Sequence, residues 1–147
     1  MMGKINWGRV LLGGIVAGII IDVGEFVLHG VVLGPEWRQA MEALGRPLQG
    51  TVGNRIFYVL LGFAYGVLTV WLYAALRPRY GAGPNTAVRA GFGVWLLGYL
   101  LPTLGWAPMG LFPGQLLRIA LLAGLAEILV ATLAGAWFYK EETARAS

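Results

Sequence analysis

The chain has 147 residues, one domain by length, and 58% of them are hydrophobic while only 12% are charged. A soluble domain carries about 25% charged residues, so that class is excluded, and the absence of Cys excludes disulfides, Cys-ligated zinc and thiol chemistry. The net charge of +4 does not point to nucleic acid, because the basic residues gather at the ends of apolar runs, where the positive-inside rule puts them. Gly is well above its usual share of about 7%, as in membrane helices that pack through small residues. Together these features describe a polytopic membrane protein.

The first nine residues are short and basic, with Lys4, Arg9 and an interfacial Trp7. The apolar run that follows outlasts a signal-peptide core of about 7–15 residues, and no A-x-A-like site precedes the next polar cluster. The expectation is therefore an uncleaved first spanning helix over about 6–33. Asp22, Glu25 and His29 lie inside it at i, i+3, i+7, with Gly14 and Gly18 one and two turns earlier. At about 100° per residue these five positions fall within an arc of about 80°. One ionisable group at mid-membrane costs roughly 2.5–3.5 kcal/mol, so three on one stripe need partners or a function.

Gly34-Pro35 breaks the first helix, and a short amphipathic helix is expected over about 36–44, with Pro35 suited to its first turn. Trp37, Met41 and Leu44 form its apolar stripe, which suits a helix lying in the interface or docking a partner. The second spanning helix is expected over about 54–76. Tyr58, Gly62, Gly66, Thr69 and Tyr73 share one of its faces, and Arg55 falls on that face at the outer end. A basic turn, Arg77-Pro78-Arg79-Tyr80-Gly81-Ala82-Gly83-Pro84, leads to a third helix over about 86–104. There Gly91, Trp95, Gly98 and Pro102 form a small or special face, and Pro102 is a candidate kink. The uncharged stretch 105–114, with Trp106, Pro108, Phe112 and Pro113, is expected in the interface or folded over the bundle mouth. The fourth helix is expected over about 115–139, with Trp137 and Tyr139 as an aromatic belt and a charged tail beyond.

Lys4, Arg9, Arg77, Arg79, Arg89, Lys140 and Arg145 fall on one side, and Arg38, Arg46, Arg55 and Arg118 on the other. The positive-inside rule makes the first side cytoplasmic, with both termini inside an inner membrane. Four helices with short connections imply an all-α, antiparallel four-helix transmembrane bundle with a short interfacial helix after the first span.

Three of the seven acidic residues are expected inside the membrane: Asp22, Glu25 and Glu127. Glu127 shares its face with Gly124, Ala120, Ala131 and Ala134, which points it toward a close helix contact. At 1.5 Å per residue, Asp22 and Glu127 come to similar depths, roughly 22 Å above Trp7 and roughly 18 Å above Tyr139. The expected pairs are Glu25 with Arg55 or His29, and Asp22 beside Glu127. Two carboxyls facing each other in low dielectric do not both ionise.

Three uses of this set follow from the residue types. It is a hydrogen-bonded knot that sets helix register, with Tyr58, Thr69 or Tyr99 as partners; or a proton or cation path; or a metal site through Glu25-x-x-x-His29. Di-iron bundles need Glu-x-x-His on two helices, and the chain has a single His, so no metal is predicted. Pigment or haem ligation by His29 alone is the one cofactor reading left open. Ser147 is the only Ser and no phosphate-binding Gly loop with a lysine opens a helix, so no enzyme is expected. Arg118 snorkels to outer head groups or meets another subunit or an anionic lipid. With Trp37 it is the candidate contact to lipid or partner.

The Gly-rich run Val10-Leu11-Leu12-Gly13-Gly14-Ile15-Val16-Ala17-Gly18 and the element Leu33-Gly34-Pro35-Glu36-Trp37-Arg38-Gln39-Ala40-Met41 resemble a group of small bacterial four-helix membrane proteins classed as domains of unknown function. The resemblance implies the same fold and a membrane location, and carries no site residues. The expected role is a structural or accessory subunit of a larger membrane complex, with membrane lipids and other subunits or its own copies as partners. The alternative is a small oligomeric proton or cation conductor.

Overall fold

The computed structural model describes residues 4–140. Residues 1–3 and the tail 141–147, which holds Arg145 and Ser147, lie outside the described residues. The described residues form five helices and no strand: α1 Trp7–Val32, α2 Gly34–Ala43, α3 Val52–Tyr80, α4 Pro84–Met109 and α5 Gly114–Trp137. All except α2 are long and apolar enough to cross a membrane, which makes this a multi-pass membrane protein.

Local signals in the sequence set the helix ends. The Asn6 side chain accepts from the Arg9 amide at 3.0 Å, and Thr51 Oγ1 accepts from the Asn54 amide at 3.2 Å, so α1 and α3 each begin on a side-chain cap. Gly81 ends α3 with φ 82°, a left-handed conformation that glycine adopts without strain. The basic turn expected from Arg77 is instead the last turn of α3, with Pro78 inside the helix. The Arg77 guanidinium packs over the rings of Tyr73 and Tyr139, at 5.8 and 5.2 Å, which holds that turn in place. The third span is also longer than expected. It runs on through Trp106 and a 3-10 turn at Ala107–Met109, so only residues 110–113 form the connection to α5.

The spans form an antiparallel bundle in chain order. α1 packs on α3 and α5, α4 packs on the same two helices, and α3 and α5 also touch across the middle. Both ends of the described chain sit together, where the Asn6 amide donates to the Tyr139 hydroxyl at 3.2 Å. Near this end the helices approach closely through glycines. A Cβ on Gly66 would strike the Gly14 carbonyl and the Gly18 amide, and one on Gly13 would strike the Gly135 carbonyl. Lipid tails are as apolar as Leu, so such contacts hold helices by van der Waals packing rather than by a hydrophobic drive. Val10, Ala17, Ile21, Val70, Ala90, Ile128 and Ala131 fill the space between them.

The far end is different. No residue of 52–61 in α3 is buried, and the outer segment of α1, Phe26–Val32, contains no buried residue either. Helices that cross at a tight glycine contact separate away from it. Over this opening α2 folds back, with Leu33, Ala40 and Leu116 forming a small second core beside Trp37 and Phe112. Trp106 and Trp37 each pack edge-on against Phe112, with centroids 5.5 and 5.2 Å away, so the uncharged connection does fold over the bundle mouth.

Candidate functional site

Two spans change their helical pitch beside the ionisable residues. In α1 the Trp7–Glu25 α-helix becomes a π-helix over Phe26–Val32, closed by the Leu33 amide donating to the Leu28 carbonyl at 2.7 Å. In α4 a π-helix covers Leu96–Leu100, closed by the Leu101 amide donating to the Leu96 carbonyl. Each lies just before a proline, Pro35 and Pro102, whose missing N–H removes an i→i−4 bond and frees a carbonyl. Pro102 cannot donate the i→i−4 bond to the Gly98 carbonyl, and the Tyr65 hydroxyl of α3 reaches that carbonyl at 3.5 Å. Such π turns recur at functional sites, and here they carry His29 and Tyr99.

His29 is held from both sides. The Trp37 indole N–H donates to His29 Nδ1 at 2.8 Å, and His29 Nε2 lies 3.5 Å from Glu25 Oε2. An indole nitrogen can only donate, so Nδ1 is the unprotonated nitrogen and Nε2–H faces the carboxylate. This runs as a chain from α2 at the mouth to Glu25 on α1. The His29 Nε2–Glu25 Oε2 contact becomes an ion pair only when the imidazole is protonated.

Below Glu25 the bundle encloses two more carboxyls, each in a space left by a glycine. A Cβ on Gly24 would collide with the Glu127 carboxyl of α5, and a Cβ on Gly62 of α3 would collide with the Asp22 carboxyl. Glu127 lies within electrostatic reach of Glu25 and Asp22, as Tyr99 does of Glu25 and Glu127, and Tyr65 of Glu25. The Tyr65 and Tyr99 rings sit 5.5 Å apart, and Gly124 makes room for Tyr99, whose ring lies 3.2 Å from where a Cβ would stand. Asp22 Oδ2 and Glu127 Oε1 are buried with no hydrogen-bond partner among the described residues. Buried polar atoms of this kind ordinarily find a partner.

The expected set is therefore brought together in part. Asp22, Glu25, His29 and Glu127 share one interior region, but Asp22 and Glu127 are neighbours in separate glycine notches rather than a hydrogen-bonded pair. Arg55 does not join them. It is exposed on the part of α3 that stands away from the bundle, so Glu25 pairs with His29 alone. Tyr58 stays out for the same reason, 67% exposed, and Thr69 bonds the Gly66 carbonyl of its own helix at 2.9 Å. Tyr99 does join. Gly14 and Gly18 face Val67 and Phe63 of α3, with Gly66 against both. Trp37, expected at a lipid or partner contact, is engaged within the chain, whereas Arg118 is exposed.

Sequence reasoning missed Tyr65, Gly24 and the tie between Trp37 and His29. Gly24 carried a signal, since it stands between two acidic residues on a helix with no turn to explain it. Among the described residues no group of three or more His, Cys, Asp or Glu side chains is placed to hold a metal ion. No family model matches the chain, and comparison with curated proteins and with solved structures found no similar one.

Proposed function

We propose that the chain is a non-enzymatic integral membrane protein acting as a structural or accessory subunit of a larger complex. The supporting observation is residues 52–61 of α3. The segment carries Asn54, Arg55, Phe57 and Tyr58 on different faces, and none of its residues is buried within the chain. Lipid suits the apolar side of such a segment, but a neighbouring protein helix suits its amide, guanidinium and phenol groups. Exposed Arg118 lies at the same end of the bundle. Lys4, Arg9, Arg77, Arg79, Arg89 and Lys140 cluster at the end shared by the termini, which favours a cytoplasmic position for that end in a bacterial inner membrane.

The test is extraction from the native membrane in a mild detergent, followed by the mass and composition of the particle. A large particle with partners in fixed ratio supports the subunit role. A particle holding only this chain overturns it.

A second reading, proton or cation conduction, is favoured by the Trp37–His29–Glu25 chain leading to the partnerless oxygens of Asp22 and Glu127. Against it stands the packing near the termini, where Val10, Ala17, Val70 and Ala131 and the Gly13–Gly135 contact close the bundle, and the buried hydroxyls of Thr69 and Thr132 donate to the Gly66 and Ile128 carbonyls of their own helices. Glu25→Gln keeps the shape and removes the titrating group. Loss of proton flux in vesicles with the fold intact supports conduction, and retained flux excludes a relay through Glu25.

A further inference from the structure

The contact between α2 and the mouth of the bundle rests on a hydrogen bond that only one protonation state of His29 allows. Trp37 Nε1–H points at His29 Nδ1 from 2.8 Å, and His29 Nε2 is already turned to Glu25. When the imidazole takes up a proton, both ring nitrogens become donors. The new Nδ1–H then confronts the indole N–H, two donors at hydrogen-bond distance, while the charged ring gains attraction to Glu25. The proton therefore strengthens one side of His29 and abolishes the other.

We propose that the Trp37–His29 hydrogen bond is an acid-released latch, which holds α2 over the mouth of the bundle at neutral pH and frees it when His29 is protonated. The charged and titratable groups on this half of the elements packed around His29 are Asp22 and Glu25 on α1, Glu36, Arg38 and Glu42 on α2, and Arg118 and Glu127 on α5. Of the acids among them, Glu25 alone lies within ion-pair distance of the imidazole, and an ionised Glu25 stabilises the charged ring that opens the latch. What then holds α2 is the small core of Leu33, Ala40 and Leu116 and the edge contact of Trp37 with Phe112. His29 is 28% exposed at its side chain, on the outer segment of α1 beside the mouth.

The chain has no Cys, so a single introduced thiol reports α2 without background. Ala40→Cys places it on the buried face of α2, and Gln39→Cys on the exposed face. Both are made in the full chain in lipid vesicles and labelled with a maleimide, and the ratio of their rates cancels the pH dependence of the thiol itself. A net hydrogen bond of this kind corresponds to about fivefold in an equilibrium. The Ala40-to-Gln39 ratio is expected to rise by about that factor as the pH falls from about 8 to about 4 and His29 takes up its proton. His29→Gln presents an oxygen to Trp37 and an amide N–H to Glu25 at every pH, so its ratio should stay low and flat. Trp37→Phe removes the donor, so its ratio should be high and flat. An unchanged ratio in the native background, or an equal rise in His29→Gln, overturns the latch.

Discussion

The Glu127 carboxyl of α5 occupies the space that Gly24 leaves open on α1. A Cβ on Gly24 would overlap Oε2 and stand 2.7 Å from Cδ, so the collision falls on the far end of a side chain that can turn away. Gly66 is the contrasting case. Its Cβ would strike the Gly14 carbonyl and the Gly18 amide and lie 2.8 Å from the Gly18 Cα, all backbone of α1. Gly24→Ala is therefore expected to cost about 1 kcal/mol or less, and Gly66→Ala about 1–3 kcal/mol or more, because the helices must separate. Unfolding midpoints in detergent check the order. Gly24→Ala costing as much as Gly66→Ala would show that Glu127 cannot move.

The Asp22 carboxyl and Gly62 give a sharper form of the same test, because Gly62 is fully enclosed between α1 and α3. Gly62→Ala forces the carboxyl out of its notch, whereas in an Asp22→Ala background the obstructing atoms are gone. The double-mutant cycle should return a coupling of about 1 kcal/mol or more, with the double variant more stable than the sum of the two losses predicts. Additive losses would mean that Asp22 does not fill the notch.

The four spans were legible because length and hydropathy are summed over some twenty residues, and lipid exposure tolerates long apolar faces. Two local features escaped. Pro78, expected in a turn, sits in a last helical turn held by the Arg77–Tyr73–Tyr139 contacts, and the π turn before Pro102 carries no sequence signal beyond the proline itself. Helical wheels assume constant pitch, so the π turns at Phe26–Val32 and Leu96–Leu100 altered which side chains meet. Gly91 and Trp95 face α5, with the indole N–H of Trp95 on the Leu121 carbonyl at 3.0 Å, whereas Gly98 faces Tyr65 of α3. The acidic residues were visible because charge is rare in such a chain. Arg55 was placed among them on periodicity alone, which cannot register that α3 leaves the bundle above Gly62.

Tyr139 joins both ends of the described chain to Arg77. Its ring lies under the guanidinium at 5.2 Å and edge-on to Tyr73 at 6.0 Å, while its hydroxyl receives the Asn6 amide at 3.2 Å. Tyr139→Phe keeps the ring contacts and is expected to cost about 0.5–1.5 kcal/mol for the hydrogen bond. Tyr139→Leu should cost about 1–2 kcal/mol more, because the cation–π and aromatic contacts go too. Thermal unfolding of the two variants separates the contributions. Equal losses would place the whole effect in the hydroxyl.

Pro102 is expected to create the acceptor that Tyr65 uses. Proline at this position lacks the i→i−4 amide that would return to the Gly98 carbonyl, and the Tyr65 hydroxyl stands 3.5 Å from it. Pro102→Ala supplies an N–H, allows an ordinary α-helical bond to Gly98, and removes the reason for the π turn at Leu96–Leu100. The phenol then competes for a carbonyl already bonded. Tyr65→Phe should therefore cost about 0.5–1 kcal/mol in the native background and close to nothing in Pro102→Ala. Amide hydrogen exchange across residues 96–102 should show the new protected amide at Ala in position 102. If Tyr65→Phe costs the same in both backgrounds, the Gly98 carbonyl is available to Tyr65 for a reason other than the proline.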